Sequence, residues 1–435
     1  MDRLKGRTQN ESVKSSRLTG LAWLILAGTV AGARGEGART NVNPALQYYL
    51  GFLEAPDLSP ADRDYLFTNE WRGQKLPDRF GELVSKYDVE FSVIRQAARA
   101  TGPCDWGIDW SEGPGALLPH LSRTKAVAKA ARLRVMWDLQ HGEQAEARND
   151  LLAAFVMGRN ISTDGSILSA LVQIAMENIV CSTVAENYYQ LAPETLKQLA
   201  DGMEAAPARG TMATAMKLEK ATTQGYLLNR ILASRNVYST NDAKVMEVFL
   251  GGTEGFSRDE EQFATNLEQQ IVTASGGTSE GVIRLLRDMD PFYERITKIM
   301  TLPPSEVENR TKQFDADVQN STNPFVSLFL VALGKVRPKE IQIQVAEAMV
   351  RAAVEYKLHG EAGLRTVIDP CGPGPFAFQR FFYEGVDRGF ELKSAYAGVG
   401  YPVVMIFVEK DGPPFNVSFK NAGEATGSGR SSIQR

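Results

Sequence analysis

HLSRTKAVAKAARLRVMWDLQ, residues 120–140, is followed by His141-Gly142 and then by EQAEARNDLLAAFVMG, residues 143–158. Leu133, Trp137 and Leu139 precede the glycine, and Leu151, Leu152 and Phe155 follow it, at the three- and four-residue spacing of amphipathic helices. Two helices, 120–140 and 143–158, joined by a tight turn are expected. The pattern continues on both sides. Ile167, Leu168, Leu171, Ile174 and Ala175 form a further stripe, and Ser59-Pro60, Pro77-Asp78, Pro193-Glu194, Pro303-Pro304-Ser305 and Pro338-Lys339 mark helix starts. Proline suits a first helical turn, where its missing amide hydrogen would have no partner anyway. No clean 34-residue period emerges, so the body from Pro44 to about Lys357 reads as an irregular array of helical hairpins, tetratricopeptide-like (TPR-like) in part.

After His359-Gly360 the texture changes. Residues 361–420 are rich in glycine, proline and aromatics, with Phe376-Ala-Phe378, Phe390-Glu-Leu392 and Val403-Val-Met-Ile-Phe-Val408 divided by glycine turns. Such runs predict a small antiparallel sheet, expected to pack Phe376, Phe378, Phe390, Val403 and Ile406 on a helix at 338–358. The expected fold is therefore mainly α, with a small C-terminal antiparallel β subdomain. Its expected divisions are 34–255, 256–360, 361–420 and a disordered tail at 421–435, with glycine breaks at 251–255 and 276–277.

Residues 1–17 carry five basic side chains against two acidic ones, and an uncharged, mostly apolar run follows from Leu18 to Ala33. That run ends in the small-x-small Ala31-Gly32-Ala33, so residues 1–33 read as a secretory signal peptide. The alternative is an uncleaved anchor at 18–33, a little short for a full span. No later stretch reads as apolar and long enough to cross a bilayer. An extracytoplasmic location, periplasmic or secreted, is expected.

With 435 residues, 43% hydrophobic and 23% charged, the chain is neither disordered, collagen-like nor a polytopic membrane protein. A net charge of −4 argues against a nucleic-acid partner, which needs a basic face. Three cysteines allow one disulfide, Cys181 reading as core, and three distant histidines leave little for a metal site. HExxH, GxGxxG after a strand and GxxxxGK[ST] are all missing, so no cofactor is expected.

Two stretches carry candidate chemistry. Asp105, Asp109 and Glu112 alternate with Trp106 and Trp110. Carboxylates beside indole faces suit glycan chemistry or ligand contact, while a Trp pair also pins a loop to helices and the acids cap turns. Gly277-Thr-Ser279-Glu-Gly281 matches a nucleophile elbow, with Asp315 or Asp317 and His359 downstream. The strand before the serine that an elbow requires is missing, so Ser279 is expected to cap a helix at 280–289 with Gly277 in the turn.

Cys104-Asp-Trp-Gly-Ile-Asp-Trp-Ser-Glu-Gly-Pro114, with Leu117-Leu-Pro-His-Leu121 and Asn43-Pro-Ala-Leu-Gln-Tyr48-Tyr49, resembles a class of exported, mostly helical bacterial envelope proteins. Val354-Glu-Tyr-Lys-Leu-His-Gly360, Asp369-Pro-Cys-Gly-Pro-Gly-Pro-Phe376 and Gly389-Phe-Glu-Leu-Lys-Ser394 are similar to the C-terminal part of type II secretion pseudopilins. That likeness implies a helix running into a small sheet. A prepilin cleavage site is missing, and Ala395–Tyr401 stands where such sheets often carry an acidic calcium loop. The functional expectation is an envelope scaffold or binding protein whose partner is another envelope protein or a peptide. The alternative is an envelope hydrolase acting on glycan or peptide through the 104–112 loop.

Overall fold

The computed structural model describes residues 42–412, apart from 69–70, 239–240, 252–257 and 399–400. The expected signal peptide, the tail at 421–435 and most of the glycine break at 251–255 lie outside these residues.

The first hairpin forms as its sequence dictates. Helix α5 (His120–Gln140) and helix α6 (Gln144–Ile161) meet at Gly142, whose φ of +81° a side chain would strain. Before them come α1 (Pro44–Leu53), α2 (Pro60–Thr68), α3 (Phe80–Ser85) and α4 (Asp88–Ala98). After them come α7 (Ile167–Glu186), α8 (Pro193–Glu204), α9 (Met212–Lys220), a five-residue π segment (Ala221–Gly225) and α10 (Tyr226–Tyr238). The series continues with α11 (Asp242–Leu250), α12 (Arg258–Ser275), α13 (Ser279–Arg287), α14 (Asp290–Met300), α15 (Pro304–Gln319), α16 (Pro324–Phe329) and α17 (Val336–Leu364). Pro60, Pro193 and Pro304 each open a helix. Helix α17 begins two residues before Pro338, and Gly360 kinks it at φ +65° beside His359.

Two apolar clusters organise these helices. The first gathers α1, α4, α5, α6, the second half of α7, α8, most of α17 and the sheet. The second gathers the start of α7, α9 to α16 and Val336 at the start of α17. The chain passes from the first cluster to the second between Leu199 and Met212, and α17 returns it to the first. Helix α7 alone, among the described residues, is long and apolar enough to cross a bilayer. That corrects the expectation that no stretch after residue 33 is. Its apolarity has a packing cause, because it runs through both clusters and most of it is buried.

Strands β1 (Ala377–Tyr383), β2 (Val386–Gly398) and β3 (Tyr401–Val408) form one antiparallel sheet in that order. The β1–β2 turn is Glu384-Gly385, both at positive φ, the backbone a two-residue hairpin favours. Phe378 pairs with Leu392 and Leu392 with Met405, while Phe390 pairs with Phe407. This face meets the helices: Tyr188, just beyond α7, lies 5.6 Å from both Phe390 and Phe407, and Tyr356 of α17 lies 4.7 Å from Phe390. Ile406 pairs with Glu391 and, alternating with Phe407, lies on the opposite face. The pleat thus separates it from Phe390, contrary to the expected grouping.

Candidate functional site

The 104–112 loop is fixed from its residues upward. Asn43 caps α1 through Ala45 N, and the same amide accepts from Asp105 N at 2.9 Å and donates to Asp105 O. Trp106 turns inward. Its ring stacks on Tyr48 at 5.6 Å, meets Tyr49 edge-on at 5.5 Å, and its Nε1 donates to Asn160 O at 2.9 Å. Asp105 and Asp109 stay exposed and act on their own turns. Asp105 Oδ1 accepts from Gly107 N, and Asp109 Oδ1 from Ser111 N, both at 2.9 Å. The bonds from Ser111 hold the Asp109 carboxyl below its usual range. Glu112 is exposed and Trp110 half-buried, at the start of a 3-10 turn (Trp110–Gly115). At Gly113 a Cβ would stand 2.3 Å from the Tyr226 ring, so this turn seats tightly on α10. The loop therefore presents acids to solvent while its principal indole is sealed in the core, and no shared carboxylate–indole face forms around Trp106.

The Gly277-Thr-Ser279-Glu-Gly281 pattern is a helix start, not a strand-turn-helix elbow. Thr278, rather than Ser279, caps α13 by accepting from Gly281 N at 3.1 Å. Ser279 is the first helical residue, and its Oγ donates to Asp242 Oδ1 at 2.6 Å. Gly277 takes φ +67°, and a Cβ at Gly281 would lie 1.9 Å from Ser275 O. Both glycines thus have steric duties. Of the suggested partners, Asp317 pairs with Arg295, and His359 lies 3.7 Å from Glu355. A hydroxyl donating to a carboxylate on α11 is a tether between helices.

All three cysteines are free thiols, and burial pushes Cys104 and Cys371 up to about 12. Among the described residues no group of three or more His, Cys, Asp or Glu is placed to hold a metal.

Two buried charge clusters were not anticipated from sequence. Glu177 of α7 meets Arg159 at 2.6 Å and Arg209 at 3.1 Å, and both guanidiniums also reach Glu347 of α17. Nearby in the first cluster, Asp150 bridges Arg95 and Arg134. A signal for the first existed. Helix α7 carries only two charges, Glu177 and Glu186, and no base of its own, so each carboxylate must find an arginine on another element. Glu186 finds Arg72 and, at 4.0 Å, Arg132.

The described residues include two concavities of note. One, of about 230 Å³, lies where the sheet meets α5 and the end of α7, lined by Lys75, Gln140, Glu186, Tyr189, Arg388 and Asp411 among others. The other is an open groove of about 760 Å³ beside α12 and α16. Asn266, Gln269, Gln270 and Thr273 line one wall, and Ser321, Thr322 and Ser327 the other. Among the described residues that line it, none is charged or aromatic.

No protein-family model matches the chain, and neither a curated protein nor a solved structure is significantly similar to it.

Proposed function

We propose that this chain is an exported helical binding protein of the cell envelope whose groove beside α12 and α16 takes an extended peptide segment of a partner. One observation carries the reading: a groove of about 760 Å³ whose described lining is mostly amides and hydroxyls, with no ionisable group among those residues. An extended peptide exposes a row of amide donors and carbonyl acceptors. Asn and Gln side chains offer both, and Ser and Thr hydroxyls rotate to either. A glycan would want flat rings to stack on, and bond cleavage would want an acid, a base or a nucleophile at the groove. The volume falls in the range of sites that take small ligands.

Export follows from residues 1–33, with their basic start and apolar run. The reading is tested by selecting displayed random peptides on the full chain and titrating the winners by calorimetry. Gln269→Ala, Gln270→Ala and Ser321→Ala should each weaken binding several-fold, the scale of one lost hydrogen bond of about 1 kcal/mol, with melting temperature unchanged. Peptides that bind all three variants as tightly as the native chain would place the site elsewhere.

A further inference from the structure

Helix α1 breaks the usual rule for a surface helix. Its ten residues, PALQYYLGFL, contain no charged side chain. The inner face is ordinary, with Ala45, Tyr48, Gly51 and Phe52 buried. The outer face is leucine: Leu46 is 57% exposed, Leu50 56% and Leu53 80%. Their spacing of four and three puts all three on one side of the helix. At Gly51 the helix closes on α4 so tightly that a Cβ would meet the Ile94 side chain at 2.6 Å and Glu90 O at 3.7 Å. Val89, the residue before Glu90, is itself 58% exposed. Water solvates such an apolar patch poorly, and a confined patch on one side of a protein marks a contact.

The sequence names the contact. The apolar run Leu18–Ala33 ends only ten residues before Pro44. Ten residues reach at most roughly 35 Å when fully extended. A bilayer that holds residues 18–33 therefore holds α1 within one membrane thickness of its surface. Of the two fates open to that run, cleavage and retention, only retention gives the leucine face a lipid partner at such high local concentration. We propose that residues 18–33 stay as a membrane anchor and that Leu46, Leu50 and Leu53 seat α1 on the lipid surface beside it. An uncharged helix face and an acidic chain mean that the contact is apolar insertion, without attraction to anionic headgroups. The inference rests on the export reading but can fail while export holds, since a cleaved and released chain would be exported all the same.

The experiment has two parts. Envelope membranes washed with alkaline carbonate should retain the chain, with its N-terminus intact at Met1. Recovery of a chain beginning near Arg34 in the soluble fraction overturns the proposal and leaves export standing. Full chain reconstituted in phosphatidylcholine vesicles is then labelled with an environment-sensitive dye at Leu50→Cys or, as a control on exposed α8, at Lys197→Cys, subtracting the label on the unsubstituted chain. Nitroxide-bearing lipids should quench position 50 severalfold more than position 197. Equal quenching overturns the docking. A blue shift at position 50 that grows with protein concentration without vesicles would assign the face to a second copy, and overturns it too.

Discussion

Trp106 lies flat on His120, ring centroids 4.6 Å apart and planes 14° from parallel, with both side chains buried. The indole thereby pins the 104–112 loop to the start of α5, while Tyr48 and Phe52 of α1 close over it. The two tryptophans of this loop do different jobs, because Trp110 remains half-buried at the surface.

Unequal truncation costs follow from that contrast. Trp106→Ala should destabilise by about 3–5 kcal/mol, the range for a fully buried large aromatic. Trp110→Ala should cost clearly less. Asp105→Asn and Asp109→Asn, each losing only a turn bond at the surface, should barely move the melting temperature. Thermal melts of the four variants check this. Equal losses at both tryptophans, or a stabilised Asp→Asn variant, would mean that the loop is held under strain for another purpose.

Ser279 should behave as a structural hydroxyl. A fluorophosphonate probe, which labels activated serines, should leave the folded chain unmodified, since Oγ donates to Asp242 and is buried. Ser279→Ala, which loses one part-buried hydrogen bond, should cost little stability. Gly281→Ala should be far worse, its Cβ colliding with Ser275 O. Stoichiometric labelling would restore the hydrolase reading.

Stability should fall as pH rises through neutrality. Burial pushes the carboxyls of Asp138 and Glu90 up to about 7, and Asp150 adds to the effect on Asp138. Glu177 is raised too, by burial first and by Glu347 against the two arginines. In the unfolded chain the same groups lose their protons near pH 4. Between there and about pH 7 the folded state binds more protons, so unfolding releases them and rising pH favours it. From these groups, melting temperature should be highest near pH 4, decline toward pH 7 and flatten above. Asp138→Asn should reduce the slope. A melting temperature that climbs from pH 5 to 8, with the same slope in the variant, contradicts the assignment.

What the sequence disclosed was local. Pro60, Pro193 and Pro304 open helices and Gly142 ends one, because each acts on its own backbone. The glycine-parted runs after residue 360 became the sheet for the same reason. Trp106 and Trp110 look alike in sequence, since what separates them is Tyr48, which lies 58 positions away in the chain. The return of α17 to the first cluster is a long-range event with no local mark in the sequence. The amide-lined groove was equally invisible: its walls join residues 266–274 to 321–327, and polar side chains on a helix read as ordinary surface until another element faces them.

The ring of Arg159, Glu177, Arg209 and Glu347 gives the last prediction. Arg159 and Glu177 belong to helices of the first cluster, Glu347 to the helix that leaves the second, and Arg209 to the connection between α8 and α9 where the clusters part. Glu177→Ala strands two buried guanidiniums on the partly exposed Glu347. Breaking such a buried arrangement by removing one partner costs about 3–5 kcal/mol, mostly the penalty of uncompensated charge. Since the ring joins α6, α7 and α17 to the connection between α8 and α9, the loss should lower the melting temperature by several degrees. Replacing Glu177 by Gln keeps shape and hydrogen bonding and should cost less than Ala, and least at low pH, where burial leaves more of the native carboxyl protonated. Calorimetry of both variants at pH 5 and pH 8 decides: the Gln variant should be closest to native at pH 5. An unshifted transition in Glu177→Ala would show that the ring is incidental to stability.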